Sequence, residues 1–140
     1  PQGVGRYYPK LRVRDIVVDW TETSASIDAL VRACNPYHFA ETRFRRLHMY
    51  VIDVTPVGRE DAVWTVLASH TPAGGSIVVY GHVPYCKTGD GWVRLDVLGV
   101  PERMVMSGRR FVSMFGVQTG DEMRSLSTDP QWALMLDKKL

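Results

Sequence analysis

The side chains in this chain most capable of chemistry by charge are its arginines, and they come in clusters. Arg12 and Arg14 lie near the start, Arg43, Arg45 and Arg46 follow, and Arg109 and Arg110 form a third group. A planar guanidinium carries five donors that match phosphate oxygens. Such clusters suit a polyanion held mainly through its phosphates, with little base readout; the same pattern also describes a solvated basic face. The other reactive types are less promising. His38, His48, His70 and His82 form no HxH, HExxH or Cys/His group, so metal-ligand spacing is missing, although His70 and His82 could approach across a hairpin. Ser76 and Ser107 lack the strand–turn–helix setting of an activated serine. Gly74-Gly75 is not followed by a helix opening on Lys-Ser/Thr, as a phosphate loop would be, and Asp90-Gly91 reads as a turn.

The wider composition narrows the classes. The 140 residues suit one domain with a real core, and the formal net charge of +2 is far from that of a dedicated nucleic-acid binder. No apolar run approaches the roughly 20 residues of a membrane helix, and no signal-peptide pattern is visible. Cys34 and Cys86 stand apart with no CxxC pair; two cysteines are too few for a disulfide scaffold, which points to a reducing compartment.

The elements that must position these residues follow from periodicity. Residues 1–14, with Pro9, read as an extended arm. Thr21-Glu22-Thr23-Ser24 offers N-caps, and Ile27, Leu30, Val31 and Cys34 then recur on one helical face, which Asn35-Pro36 terminates. Asp28 and Arg32 match each other at i, i+4. Most of the remainder reads as strands. Arg46–Val54 is rich in β-formers and ends at Pro56-Val57-Gly58. In Arg43–Tyr50 the residues Arg43, Arg45, Leu47 and Met49 share one parity, and Phe44, Arg46, His48 and Tyr50 the other. Ala62–Leu67 reads as a strand, with a helical turn from Glu60 as the alternative. Ser76–Tyr80 is a strand. Val83–Lys87 runs into the Gly89-Asp90-Gly91 hairpin signal, and Trp92–Leu98 alternates, with Val93, Leu95 and Val97 on one face and Arg94 and Asp96 on the other. Ser107–Phe115 reads as a short helix or turn, and the polar residues from Thr119 onward as an appendage. Trp20, Trp64 and Trp92 read as packing residues, Asp19 and Asn35 as local backbone partners. The expected fold is mainly β: a small open barrel of the oligonucleotide-binding type with one N-terminal helix, over residues 15–118, preceded by the arm 1–14 and followed by an extension 119–140.

The ordered set Tyr8-Pro9-Lys10, Val18-Asp19-Trp20, Val31-Arg32-Ala33-Cys34-Asn35-Pro36, Leu47-His48-Met49-Tyr50, Pro72-Ala73-Gly74, Gly89-Asp90-Gly91, Val93-Arg94-Leu95 and Met106–Phe111 resembles the C-terminal domain of methionyl-tRNA formyltransferase and its relatives, across residues 7 to 116. Two loops depart from the family pattern, at Tyr37-His38-Phe39 and at Val100-Pro101-Glu102-Arg103. The family's catalytic Asn, His and Asp belong to a Rossmann-like domain with no counterpart in this sequence. The resemblance therefore implies a non-catalytic domain that helps hold initiator tRNA while a preceding catalytic domain transfers a formyl group from 10-formyltetrahydrofolate to methionyl-tRNA. It implies no cofactor in this chain itself, and a bacterial cytoplasm or mitochondrial matrix as the setting. On that reading Arg12, Arg14, Arg43, Arg45, Arg46, Arg109 and Arg110 would meet phosphates, joined by Lys10 if the linker lies along the tRNA. The alternatives are an accessory or dimerisation barrel of a small-molecule formyltransferase, towards which Tyr7-Tyr8 leans, and a stand-alone interaction module.

Overall fold

The computed structural model describes residues 16–34 and 39–125. Helix α1 spans Ser24–Cys34 and buries Ile27, Val31 and Cys34, the stripe that the periodicity predicts. Thr23 caps it by accepting from the Ser26 amide at 3.1 Å. Arg32 pairs with Asp28 at 3.4 Å one turn away. Strands β1 (Ala40–Phe44) and β2 (Leu47–Pro56) form an antiparallel hairpin. Helix α2 (Ala62–Ala68) follows, then β3 (Ile77–Tyr80), β4 (Val83–Lys87), β5 (Trp92–Val100), β6 (Met104–Ser107), helix α3 (Gly108–Phe115) and β7 (Met123–Arg124).

The strands make one antiparallel sheet ordered β3-β4-β5-β2-β1-β7, with β6 also on β5. The sheet is curled into a half-barrel, mainly β as expected. β5 is its spine: one edge pairs β2 along most of its length, while the other carries β4 beside Trp92–Arg94 and β6 beside Val97–Val100. The register lines the interior with the cross-strand row Ala40, Val51, Leu98 and Met106, all buried. Phe44 and Phe111 meet edge to face at 4.9 Å inside the same core. A smaller cluster of Leu67, Val78, Tyr85 and Trp92 packs under α2. Among the described residues no helix is long and apolar enough to cross a membrane.

Four local expectations need correction or completion. Arg43–Tyr50 is not one strand: it reverses at Arg45-Arg46, with Arg45 at φ 58°, so its parity sets do not run through the turn. Ala62–Ala68 is helical, the alternative rather than the preferred reading. The turn Gly58–Asp61 starts it, with the Gly58 amide donating to the Asp61 carboxylate at 2.8 Å, and Leu67 then plugs the smaller core, so tertiary burial overrides β-propensity. Val97 is half-buried while Leu98 is fully buried, because bulges opposite Asp53 shift the phase of the β2–β5 ladder by one residue. Finally, residues 119–124 rejoin the sheet. The Ile77 amide donates to the Asp121 carbonyl at 2.7 Å and the Met123 amide to the Gly75 carbonyl at 2.7 Å, while β7 pairs β1. This segment bridges the two sheet edges.

Candidate functional site

The basic residues singled out by the sequence do not converge. Lys10, Arg12 and Arg14 lie outside the described residues. Arg45 sits at the tip of the β1–β2 turn with its donors committed. Its guanidinium donates to the Phe115 carbonyl at 2.8 Å and approaches the Asp121 carboxylate at 3.2 Å, stacked 4.7 Å above the Phe44 ring. Arg46 is exposed on the same turn, and Arg109 and Arg110 are exposed on the first turn of α3. Arg43 differs from all of these. It is half-buried, and its Nε is shielded from solvent without a hydrogen-bond acceptor.

Arg43 lines a groove of about 310 Å³ together with Asp19, Trp20, Gly74, Glu122 and Arg124. The β1–β7 register sets Arg43 directly opposite Arg124, and the β1–β2 register sets it opposite His48 on its other side, so the row Arg124, Arg43, His48 crosses three strands on one face. His48 contacts the buried Glu41 carboxylate. The groove walls are fixed by short bonds. The Trp20 indole N–H donates to Thr42 Oγ1 at 3.0 Å, and that hydroxyl donates to the Arg124 carbonyl at 2.8 Å. Asp19 Oδ1 accepts from the Thr21 amide at 3.0 Å and hydroxyl at 2.6 Å, which leaves its second carboxylate oxygen without a partner in that turn. Gly74 lies against the Trp20 carbonyl, where a Cβ would stand 2.5 Å from the oxygen. Sequence reasoning found Arg43 but missed Arg124, which stands in the segment read as an appendage; the alternation Glu122, Met123, Arg124, with Met123 inward, was the available signal.

A second polar cluster lies on the far side of β5. Arg94 Nε donates to Asp96 Oδ1 at 2.6 Å, and Thr55 bonds both Arg94 and Asp96. The hydrogen bond to Asp96 is the main cause that raises the Arg94 pKa. Thr55 and Arg94, with Asp61 and Tyr85, border a cleft of about 140 Å³; burial is the main cause that raises the Tyr85 phenol. The cysteines are inert as nucleophiles. Burial, followed by the Glu41 charge, pushes the Cys34 thiol up to about 11, and burial alone pushes Cys86 well above its ordinary value. No group of three or more His, Cys, Asp or Glu able to hold a metal stands among the described residues.

A sequence model described as the formyl transferase C-terminal domain matches residues 10–116. The chain belongs to the formyltransferase C-terminal domain family. Solved structures with the same fold include HypX from Aquifex aeolicus in complex with tetrahydrofolic acid, at 15% identity and TM-score 0.56, and a substituted variant of that protein at 14% identity and TM-score 0.57. Each comparison covers 79% of this chain but only 19% and 20% of the HypX chains, so this chain spans about a fifth of their length. A search of curated proteins gave no match.

The elements of this formyltransferase C-terminal domain that carried the resemblance are architectural. Trp20 anchors the chain before α1 to β1 and β7. Asp90, in the Gly89-Asp90-Gly91 hairpin, accepts from the Ser24 amide at 2.9 Å and so caps α1 from a distant loop. That bond is the main cause that lowers the Asp90 pKa. Gly89 presses on the Thr21 carbonyl, leaving no room for a Cβ.

Proposed function

We propose that this chain is the non-catalytic C-terminal module of a formyltransferase that uses a tetrahydrofolate one-carbon donor and whose reacting groups belong to another domain. Its work is to brace that domain. The observation that carries the reading is the family match over residues 10–116. The tetrahydrofolic acid complex of a protein sharing the fold supports folate as the parent's cofactor. The parent's acceptor on this reading is a small molecule. The described residues contain twelve Asp and Glu against eleven Lys and Arg, and Arg32, Arg45 and Arg94 each lie against a carboxylate. Such a surface gives a polyanion little net attraction.

A second reading, docking of the initiator tRNA for formylation of methionyl-tRNA, is favoured by Arg43 with its unmatched Nε–H and by the basic run Arg6, Lys10, Arg12 and Arg14. One titration separates the two. Methionyl-tRNA is added to the chain at stepped salt concentrations, and binding is followed by filter retention. The bracing reading expects no saturable retention at low salt. Retention that falls steeply with salt, and is lost when Arg43, Arg46, Arg109 and Arg110 are changed together to Ala, establishes the tRNA reading in its place. Formyl transfer from 10-formyltetrahydrofolate by this chain alone would overturn both.

A further inference from the structure

The groove beside Trp20 combines two charges of each sign in a fixed frame. Arg43 and Arg124 oppose each other directly across the β1–β7 pair, an arrangement that costs free energy unless an anion lies between them. Arg124 reaches Glu122 only at 3.8 Å with both side chains exposed, and the Nε of Arg43 is shielded from solvent with no hydrogen-bond partner. A buried N–H donor without an acceptor is the costly half of an interaction whose other half is missing. On the other walls stand the carboxylates of Asp19 and Glu122, which accept hydrogen bonds but cannot donate them.

We propose that this groove binds a small phosphorylated polyol, its phosphate held by Arg43 and Arg124 and its hydroxyls donating to Asp19 and Glu122. The two arginines match phosphate oxygens through paired N–H donors. The carboxylates disfavour a bare anion or an extended polyanion but suit a phosphate flanked by hydroxyls. A groove of about 310 Å³ has room for a sugar phosphate. The frame is built before the ligand arrives: the bonds from Trp20 through Thr42 to the Arg124 carbonyl, and from the Met123 amide to Gly75, fix both sides of the groove. The site goes beyond the bracing role, since it requires neither a catalytic domain nor a formyl donor.

The test is calorimetric titration of the chain with ribose 5-phosphate, with ribose and with inorganic phosphate. In parallel, nitrogen–proton spectra follow the Trp20 indole and the Arg43 Nε–H. The expected result is saturable one-to-one binding of ribose 5-phosphate, with both signals shifting, phosphate about tenfold weaker and ribose silent. Arg124→Ala lies on an exposed edge and should weaken binding by about tenfold with the thermal midpoint unchanged. Arg43→Lys keeps the charge and the fold but loses the fork, and should weaken it similarly. The proposal is overturned if ribose 5-phosphate does not saturate the wild-type chain, or if both variants bind it as the wild type does. It is overturned too if inorganic phosphate binds as tightly as the sugar phosphate, or if RNA alone binds through Arg43. Because no formyl chemistry is read, the sugar-phosphate and phosphate outcomes leave the bracing role where it stood; RNA binding through Arg43 would count against both.

Discussion

At the scale of single residues, two side chains singled out for charge or turn propensity hold the structure together. Arg45 adopts a positive φ, which costs a non-glycine residue about 1–2 kcal/mol. It offsets that cost by capping the C-terminal carbonyls of α3 and pairing Asp121. Arg45→Ala keeps the strain and loses the contacts, so urea denaturation should show a loss of about 1–2 kcal/mol. Arg45→Gly loses the same contacts but relieves the strain, and should recover about half of that loss. Equal stability of the two variants would remove the strain argument. Asp90 makes a different prediction. Asp90→Ala removes the distant cap of α1 and should cost about 1 kcal/mol. Asp90→Asn keeps an acceptor but not the charge. The Asp90 pKa is depressed in the folded protein, so the carboxylate's stabilisation is present above its unfolded pKa and is lost as pH falls through the lower folded value. The advantage of wild type over Asp90→Asn should therefore be constant from neutral pH to about pH 5 and shrink towards pH 3. Thermal midpoints measured across that range check it, and an advantage that grows on acidification would refute the assignment. The short distance from Gly89-Asp90-Gly91 to Ser24 also explains why a hairpin signal and a helix start occur in one family pattern. Spacing shows the hairpin but not its partner 66 positions away.

At the scale of elements, what could be read locally was read correctly, and what depended on a distant neighbour was not. The apolar stripe of α1 and the β4–β5 hairpin are encoded within their own windows. α2 and β7 are not. Val63, Trp64 and Val66 favour strand by local propensity, and only the smaller core selects the helix. β7 is two residues long, too short for any periodicity, yet Met123 is 2% exposed and its backbone joins both sheet edges. The groove was legible only on its Arg43 side for the same reason. The family match ends at residue 116, before this bridging segment. A chain ended at Gln118 should therefore be markedly less stable than one ended at Ser125. The truncation exposes Met123's site in the core, where a large-to-small change alone costs about 2–5 kcal/mol. It also strips the Ile77 amide of its acceptor. Hydrogen exchange tests this directly: the Ile77 amide should be protected in the longer chain and open in the shorter. Equal protection would mean that β3 holds its place without the bridge.

At the scale of the whole molecule, the decisive property is how charge is distributed along the chain. The formal net charge is +2, but the described residues carry one more carboxylate than cation, so the excess of positive charge lies in the sequence outside them. Arg6, Lys10, Arg12 and Arg14 make residues 1–15 the most basic stretch, and Asp15 is its one acid. Within the half-barrel, Asp28, Asp96 and Asp121 each lie within salt-bridge distance of an arginine, and the other exposed arginines, Arg46, Arg59, Arg103, Arg109, Arg110 and Arg124, are spread over several separate elements. A polyanion that binds by releasing counterions responds to the number of cations it meets at once, with a salt slope of roughly 0.7 to 0.9 per neutralised phosphate. Retention on heparin should therefore depend on residues 1–15 more than on the surface of the described residues. Changing Arg6, Lys10, Arg12 and Arg14 together to Ala should shift elution to distinctly lower salt, whereas changing the exposed Arg46, Arg109 and Arg110 together should move it less. Circular dichroism should show both variants folded as the wild type; Arg46, Arg109 and Arg110 are exposed side chains. If the second set proved the larger, the turn and the first turn of α3 would form one concentrated basic face despite their separate positions in the fold, and the case for tRNA docking on the half-barrel would outweigh that for a bracing module.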